Sequence, residues 1–223
     1  RVFVHQWIED AVRTGADVIF WDEPHWLEPA FRDDEDSDEY WTCRCSSCRS
    51  RYEEVHGQEM PEAFDDSVKT FKRNSIVNFL EEMTEATAEA GAQNAVCLAP
   101  DPTENDSTDR LKRLASLEHL DLIGATPFWD LHGEDPEDFV GGWSERITSV
   151  ADSHNLKSQV WIQGFDLDDS RETIEKFRMA LNVAKSSGPD SLFLWGWDGC
   201  RVMSSKACES AETIWSEFLN AVE

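Results

Sequence analysis

Three cysteines stand in the pattern C-x-C-x-x-C at Cys43, Cys45 and Cys48, within the stretch EYWTCRCSSCRSRYEEVHG from Glu39 to Gly57. Thiols this close together do not make an ordinary disulfide framework, and three are one short of the closed shell that zinc takes in structural sites. The spacing therefore predicts a structural zinc on Cys43, Cys45 and Cys48, with Cys200, Cys208, His25 and His56 as in-chain candidates for the fourth ligand. Upstream, the run VIFWDEPHW sets Asp22 and Glu23 between Trp21 and Trp26, with His25 beside them. Pro24 has a fixed φ and no N–H, so it should end a strand there and hold the Glu23 carboxylate at the strand's end. A carboxyl group so placed, between two indoles, is suited to general acid chemistry.

These residues need elements to position them. Short apolar runs recur at 16–21 (ADVIFW), 94–99 (NAVCLA), 120–125 (LDLIGA), 159–165 (QVWIQGF) and 191–197 (SLFLWGW). Between them lie segments of helical period near 65–91, 108–116, 135–154, 170–187 and 208–222, and the chain opens inside a further helix. Strands apolar on both faces that alternate with helices imply a parallel sheet with right-handed crossovers. Neither a G-x-G-x-x-G after the first strand nor a P-loop is present, so an open nucleotide-binding sheet lacks its marker. Polar and aromatic residues instead follow nearly every run: Asp22 and Glu23, Asp101, Trp129 and Asp130, Gln163, then Trp195, Trp197 and Asp198. A (β/α)8 barrel collects its chemistry at that one face. The expected fold is thus an α/β barrel of TIM type. Five strands would be strands four to eight, with the N-terminal part absent. Residues 1–223 would form one barrel domain, with the cysteine-containing loop inserted at about 27–63.

Composition narrows the partners. Twenty Lys and Arg against 46 Asp and Glu give a net charge of −26, spread along the chain. Nucleic acid is excluded as a natural partner, since binding its backbone needs cationic charge. A dense carboxylate surface with few lysines is what adaptation to high salt produces, because salt screens the self-repulsion. No run approaches the ~20 apolar residues that cross a bilayer. No secretory signal is visible and the clustered thiols suit a reducing compartment, so the expected location is cytoplasmic. Oligomeric state is not readable.

The WDEPHW run followed by CRCSSCRSRYEEVHGQEMP resembles the retaining β-galactosidase clan of (β/α)8-barrel glycoside hydrolases, and in particular its zinc-containing β-galactosidases. The later VWIQGF and WGWDGC runs are similar to those of a set of family-10-like glycosidases. The resemblance implies a glycoside hydrolase acting on carbohydrate, with Glu23 as the acid at the end of the fourth strand. It also implies that the fourth zinc ligand lies elsewhere in the fold. One departure is plain: the seventh strand of that clan ends in a glutamate nucleophile, and Gln163 stands in the corresponding place. An amide cannot be that nucleophile, which leaves a glycan-binding barrel without hydrolysis as the rival expectation.

Hydrolysis needs a second carboxylate, about 5 Å from the first for retention or ~6.5–9.5 Å for inversion. Asp22, Asp101, Asp130, Asp166 and Asp198 are candidates, and WGWDG favours Asp198, just past a strand end with a glycine to turn the chain. The expected site therefore has Glu23 and Asp198 as catalytic residues. Asp22, His25, Trp26, Trp129, Gln163 and Trp197 would bind the sugar.

Overall fold

The computed structural model describes residues 1–26, 41–100, 107–196 and 208–222. In chain order these form α1 (Val2–Arg13), β1 (Val18–Asp22), α2 (Ser46–His56), α3 (Asp66–Ala90), β2 (Gln93–Leu98), α4 (Ser107–Ala115), β3 (Leu122–Ala125), α5 (Pro136–His154), β4 (Lys157–Gln163), α6 (Arg171–Ser186), β5 (Ser191–Trp195) and α7 (Ala211–Val222). The five strands make one sheet, all parallel, in the order β1-β2-β3-β4-β5. Every expected strand and helix is present, within a few residues of its sequence bounds.

Local chemistry sets the helix limits. The Asp65 carboxylate accepts from the Val68 N–H at 3.0 Å to begin α3, and Gly91 at φ 93 ends it in the left-handed conformation that glycine adopts freely. Helix α5 begins with an Asp135 cap and Pro136 in its first turn, and α6 begins with a Ser170 cap.

Alternation along the strands gives the sheet two different faces. Val96, Leu98, Ile123 and Ala125 point outward and pack with Leu111, Leu114, Trp143 and Ile147 of the helices. Val160 and Ile162, with Leu192 and Leu194, meet Phe177, Leu181, Ile214 and Phe218 in the same way. Buried Asn94 ties this layer together: its amide donates to the carbonyls of Thr84 and His119, and its oxygen accepts from the Trp21 indole. The opposite face is concave. Phe20 of β1 contacts Trp161 of β4 at 5.3 Å, although these strands would lie about 14 Å apart in a flat sheet. Gly124 sits on that inner face, where a Cβ would meet Gln159 Cβ at 3.0 Å and Cys97 Sγ at 3.5 Å. A larger residue would press the neighbouring strands apart. The chain is therefore a curled, five-stranded half-barrel with helices outside, the architecture of a partial (β/α)8 barrel.

Helix α2 was not legible in the sequence, where its segment reads as loop. It is held by a separate apolar cluster in which Trp41, Tyr52, Met60, Val68 and Phe71 are buried, with Cys48 and Phe64 at its edge. The cysteine loop thus has a small core of its own. No helix among the described residues is long and apolar enough to cross a membrane.

Candidate active site at the strand ends

Glu23 follows β1 directly and takes φ 41, a left-handed conformation that costs a non-glycine residue about 1–3 kcal/mol. Pro24 disfavours the ordinary helical alternative at this position. Three hydrogen bonds hold the residue there. Its N–H donates to the Cys97 carbonyl at 2.9 Å, which continues the β1–β2 ladder by one step. Its carbonyl lies 2.6 Å from His25 Nδ1. Its carboxylate Oε1 accepts from the Thr126 hydroxyl at 2.8 Å. Thr126 comes immediately after β3, two strands away, so this bond spans the C-terminal mouth of the curled sheet. The Glu23 carboxylate is thus held in one geometry by protein groups alone, as a side chain positioned for proton transfer would have to be.

Asp22 ends β1 beside it. Burial, and then the neighbouring Glu23 charge, push its carboxyl above the ordinary value. Beneath both lies Cys97, fully buried on β2, whose thiol is pushed well up by burial and then by the charges of Asp22 and Glu23. Sequence reasoning missed Thr126 and Cys97. Thr126 carried a usable signal as the first polar residue after LIGA, whereas Cys97 reads only as a strand interior.

Other expected site residues divide by position. His25 and Trp26 leave the carboxylate and turn to the helical side of the chain, where the Trp26 indole donates to the Lys72 carbonyl at 3.0 Å. The buried Lys72 ammonium lies 4.7 Å from the Trp41 ring centre, 5.1 Å from Phe64 and 5.4 Å from Trp26, so it binds the exit of β1 to the cysteine loop by cation–π attraction. Behind this segment lies a cavity of about 420 Å³ bordered by Pro24, His25, Trp26, Cys48 and Phe71. Trp129 is 1% exposed and packs on Phe177 in the outer core, which leaves no free ring face for a ligand. Gln163 is fully buried, and both ends of its amide are engaged: Oε1 accepts from the Leu131 N–H at 3.2 Å and Nε2 donates to the Phe165 carbonyl at 3.1 Å. It fastens the loop after β3 to the end of β4. Trp195 at the end of β5 is 50% exposed. Asp101, Trp197, Asp198 and Cys200 lie outside the described residues.

A second acidic group surrounds Asp130, whose carboxyl is raised by burial and then by Asp166, with Lys176 opposing. It belongs to the loops after β3 and β4.

The ligand atoms of Cys43, Cys45 and Cys48 all lie within 4.8 Å of one another, close enough to hold a metal ion, and no fourth group among the described residues joins them at that distance. The Cys45 thiol is lowered to about 7, first by the Cys48 backbone N–H and then by the Cys43 and Cys48 thiols, while the Cys48 thiol is pushed up to about 12, first by burial and then by the Cys43 and Cys45 thiols. Of the expected fourth ligands, His56 stacks on Tyr52 at 4.2 Å, and Cys208 is buried against the Leu167 carbonyl in the outer core.

No family model matches the sequence, and no curated protein does. Solved structures do match the fold. Bee venom hyaluronidase shares 17% identity over 91% of this chain and 68% of its own, with a TM-score of 0.52. The same enzyme in complex with a hyaluronic acid tetramer gives 16% identity, 92% and 67% coverage, and 0.52. The catalytic domain of β-amylase from Paenibacillus polymyxa is 9% identical over 86% of this chain and 61% of its own, at 0.47. The chain spans only 40% of the endo-β-1,4-mannanase from Thermotoga petrophila, which it matches at 13% identity over 67% of its own length and 0.41. At these identities the hyaluronidase likeness establishes the fold alone.

Proposed function

We propose that this chain is part of a (β/α)8-barrel glycoside hydrolase that binds carbohydrate at the C-terminal ends of the strands, with Glu23 as general acid. The observation that carries the reading is the Glu23 geometry. A carboxylate is kept in a left-handed backbone conformation at the mouth of a curled parallel sheet and pinned from across that mouth by Thr126. Strain of this kind persists where surrounding structure imposes it, and it concentrates at functional sites. The fold is compatible with the same reading, since bee venom hyaluronidase, which shares it, is by its name an enzyme of carbohydrate breakdown.

In this mechanism Glu23 protonates the glycosidic oxygen as the bond to the anomeric carbon breaks. Asp198 is the second carboxylate, on the strength of its place just past the fifth strand. Asp22 and Trp197 contact the sugar, and half-exposed Trp195 offers it an apolar ring. Trp129 and Gln163 act as scaffold, and His25 and Trp26 fix the exit of β1. Cys43, Cys45 and Cys48 hold a structural zinc within the loop inserted at about 27–63. Thiolate binding of the metal adds folding free energy to a segment whose apolar core is small.

A second reading has one observation in its favour: Gln163, which the sequence resemblance sets at the clan's nucleophile position, is buried and spent on two backbone groups. A barrel that binds a glycan without cleaving it would have this feature. Incubating the full-length protein with a panel of aryl glycosides, and following both release of the aryl group and thermal shift, separates the two. Turnover supports hydrolysis, a thermal shift without turnover supports binding alone, and neither response with any glycoside rejects both.

A further inference from the structure

We infer that the cavity behind the exit of β1 is a second binding site, separate from the strand-end mouth, for a small amphipathic anion with an apolar body and a carboxylate head. Its volume, about 420 Å³, falls within the ~300–1,000 Å³ of small-molecule sites. Neither Glu23 nor Thr126 borders it, so the exit segment separates it from the carboxylate at the mouth. Its walls are apolar and come from three directions: Pro24 and Trp26 from the exit segment, with Phe71, Ile76 and Phe79 from α3, and α2 closing the third side.

Charge decides the class of ligand. The chain has 46 acidic residues in 223, yet none of the described residues lining this cavity is acidic. Two of the twenty basic side chains line it, Arg1 and Arg51. Arg1 is paired with Glu82. Arg51 is exposed and has no carboxylate partner among the described residues. A planar guanidinium at the rim of an apolar cavity is suited to a carboxylate head with bidentate hydrogen bonds. The apolar walls then take the tail, which loses contact with water on entry. A neutral tail gains only the second interaction, and a simple anion only the first.

Octanoate and octan-1-ol are the probes, titrated into the full-length protein by calorimetry at fixed ionic strength. Saturable octanoate binding is expected, at least tenfold tighter than octanol. Arg51→Gln, a change at an exposed side chain, should weaken octanoate at least tenfold and leave octanol unchanged. Ile76→Trp, which fills the cavity, should abolish both, with circular dichroism reporting whether that variant remains folded. The proposal is overturned if octanoate does not saturate at millimolar concentration, the outcome expected if another segment of the polypeptide fills the cavity. It is equally overturned if Arg51→Gln binds octanoate as the native protein does. Because the readout is binding and not turnover, the result is independent of whether the mouth hydrolyses glycosides.

Discussion

Gln163→Glu would place a carboxylate where the sequence resemblance to the β-galactosidase clan expects a nucleophile, and the structure says what that costs. The native amide is fully buried, accepting from Leu131 and donating to Phe165. A neutral carboxyl could copy both bonds, its carbonyl accepting and its hydroxyl donating. An ionised one could not: it has no hydrogen for Phe165, and its charge would be buried without a cation among these partners. The variant must therefore stay protonated to fold well. Holding a proton above the ordinary Glu pKa of about 4.3 costs about 1.4 kcal/mol per pH unit, so the destabilisation is about 4 kcal/mol at pH 7 and about 1 kcal/mol at pH 5. The folded-state pKa is raised, so stability is present at low pH and lost as pH rises. Urea unfolding of native and variant protein between pH 4.5 and 7 reads this directly, where the two curves should converge toward the acid end. Equal stability at pH 7, or new glycosidase turnover in a variant of unchanged stability, would refute the scaffold role and show that position 163 opens to the site.

Other expectations follow from the same structure. Asp22 has a raised carboxyl, from burial first and Glu23 second, so the folded state binds its proton more tightly than the unfolded chain does. Its contribution is lost as pH rises through the window above the ordinary carboxylate value, and Asp22→Asn should remove that decline and melt higher than the native protein at pH 7; a lower melting temperature would contradict it. Screening at 1 M salt acts over ~3 Å, so a net charge of −26 should make melting temperature rise strongly with KCl, and equal values in low and molar salt would count against halophilic adaptation. Protein purified without chelator should carry about one zinc per chain, and Cys48→Ser or chelation should make the 41–57 segment protease-sensitive while the sheet stays folded. No metal, with all three thiols freely titratable, would rule the zinc out.

Much of the fold was legible because periodicity reports burial. All five apolar runs became parallel strands in chain order, since residues such as Val96, Ile123 and Val160 face helices on the outer side while the inner face is closed by curvature. What periodicity could not show was which side of a chain exit a residue would take. WDEPHW reads as one cluster, yet the left-handed turn at Glu23 sends its carboxylate to Thr126 and sends Trp26 to Lys72 on the opposite side. Helix α2 escaped notice because only Tyr52 is fully buried along it, too little to write a stripe. The aromatic enclosure of Lys72 depends on Trp26, Trp41 and Phe64, which converge only in three dimensions.

Glu23→Gln tests the central claim most directly. The amide is isosteric and can still accept from Thr126, so the variant should keep its melting temperature and its affinity for a glycan ligand. It cannot give up a proton. Turnover should therefore fall by about 10²–10⁴-fold on glycosides with poor leaving groups, and far less on aryl glycosides whose leaving group needs no protonation. That split between leaving groups, at constant stability, is the expected result. Unchanged turnover on a poor leaving group would contradict the account and remove Glu23 from the chemistry.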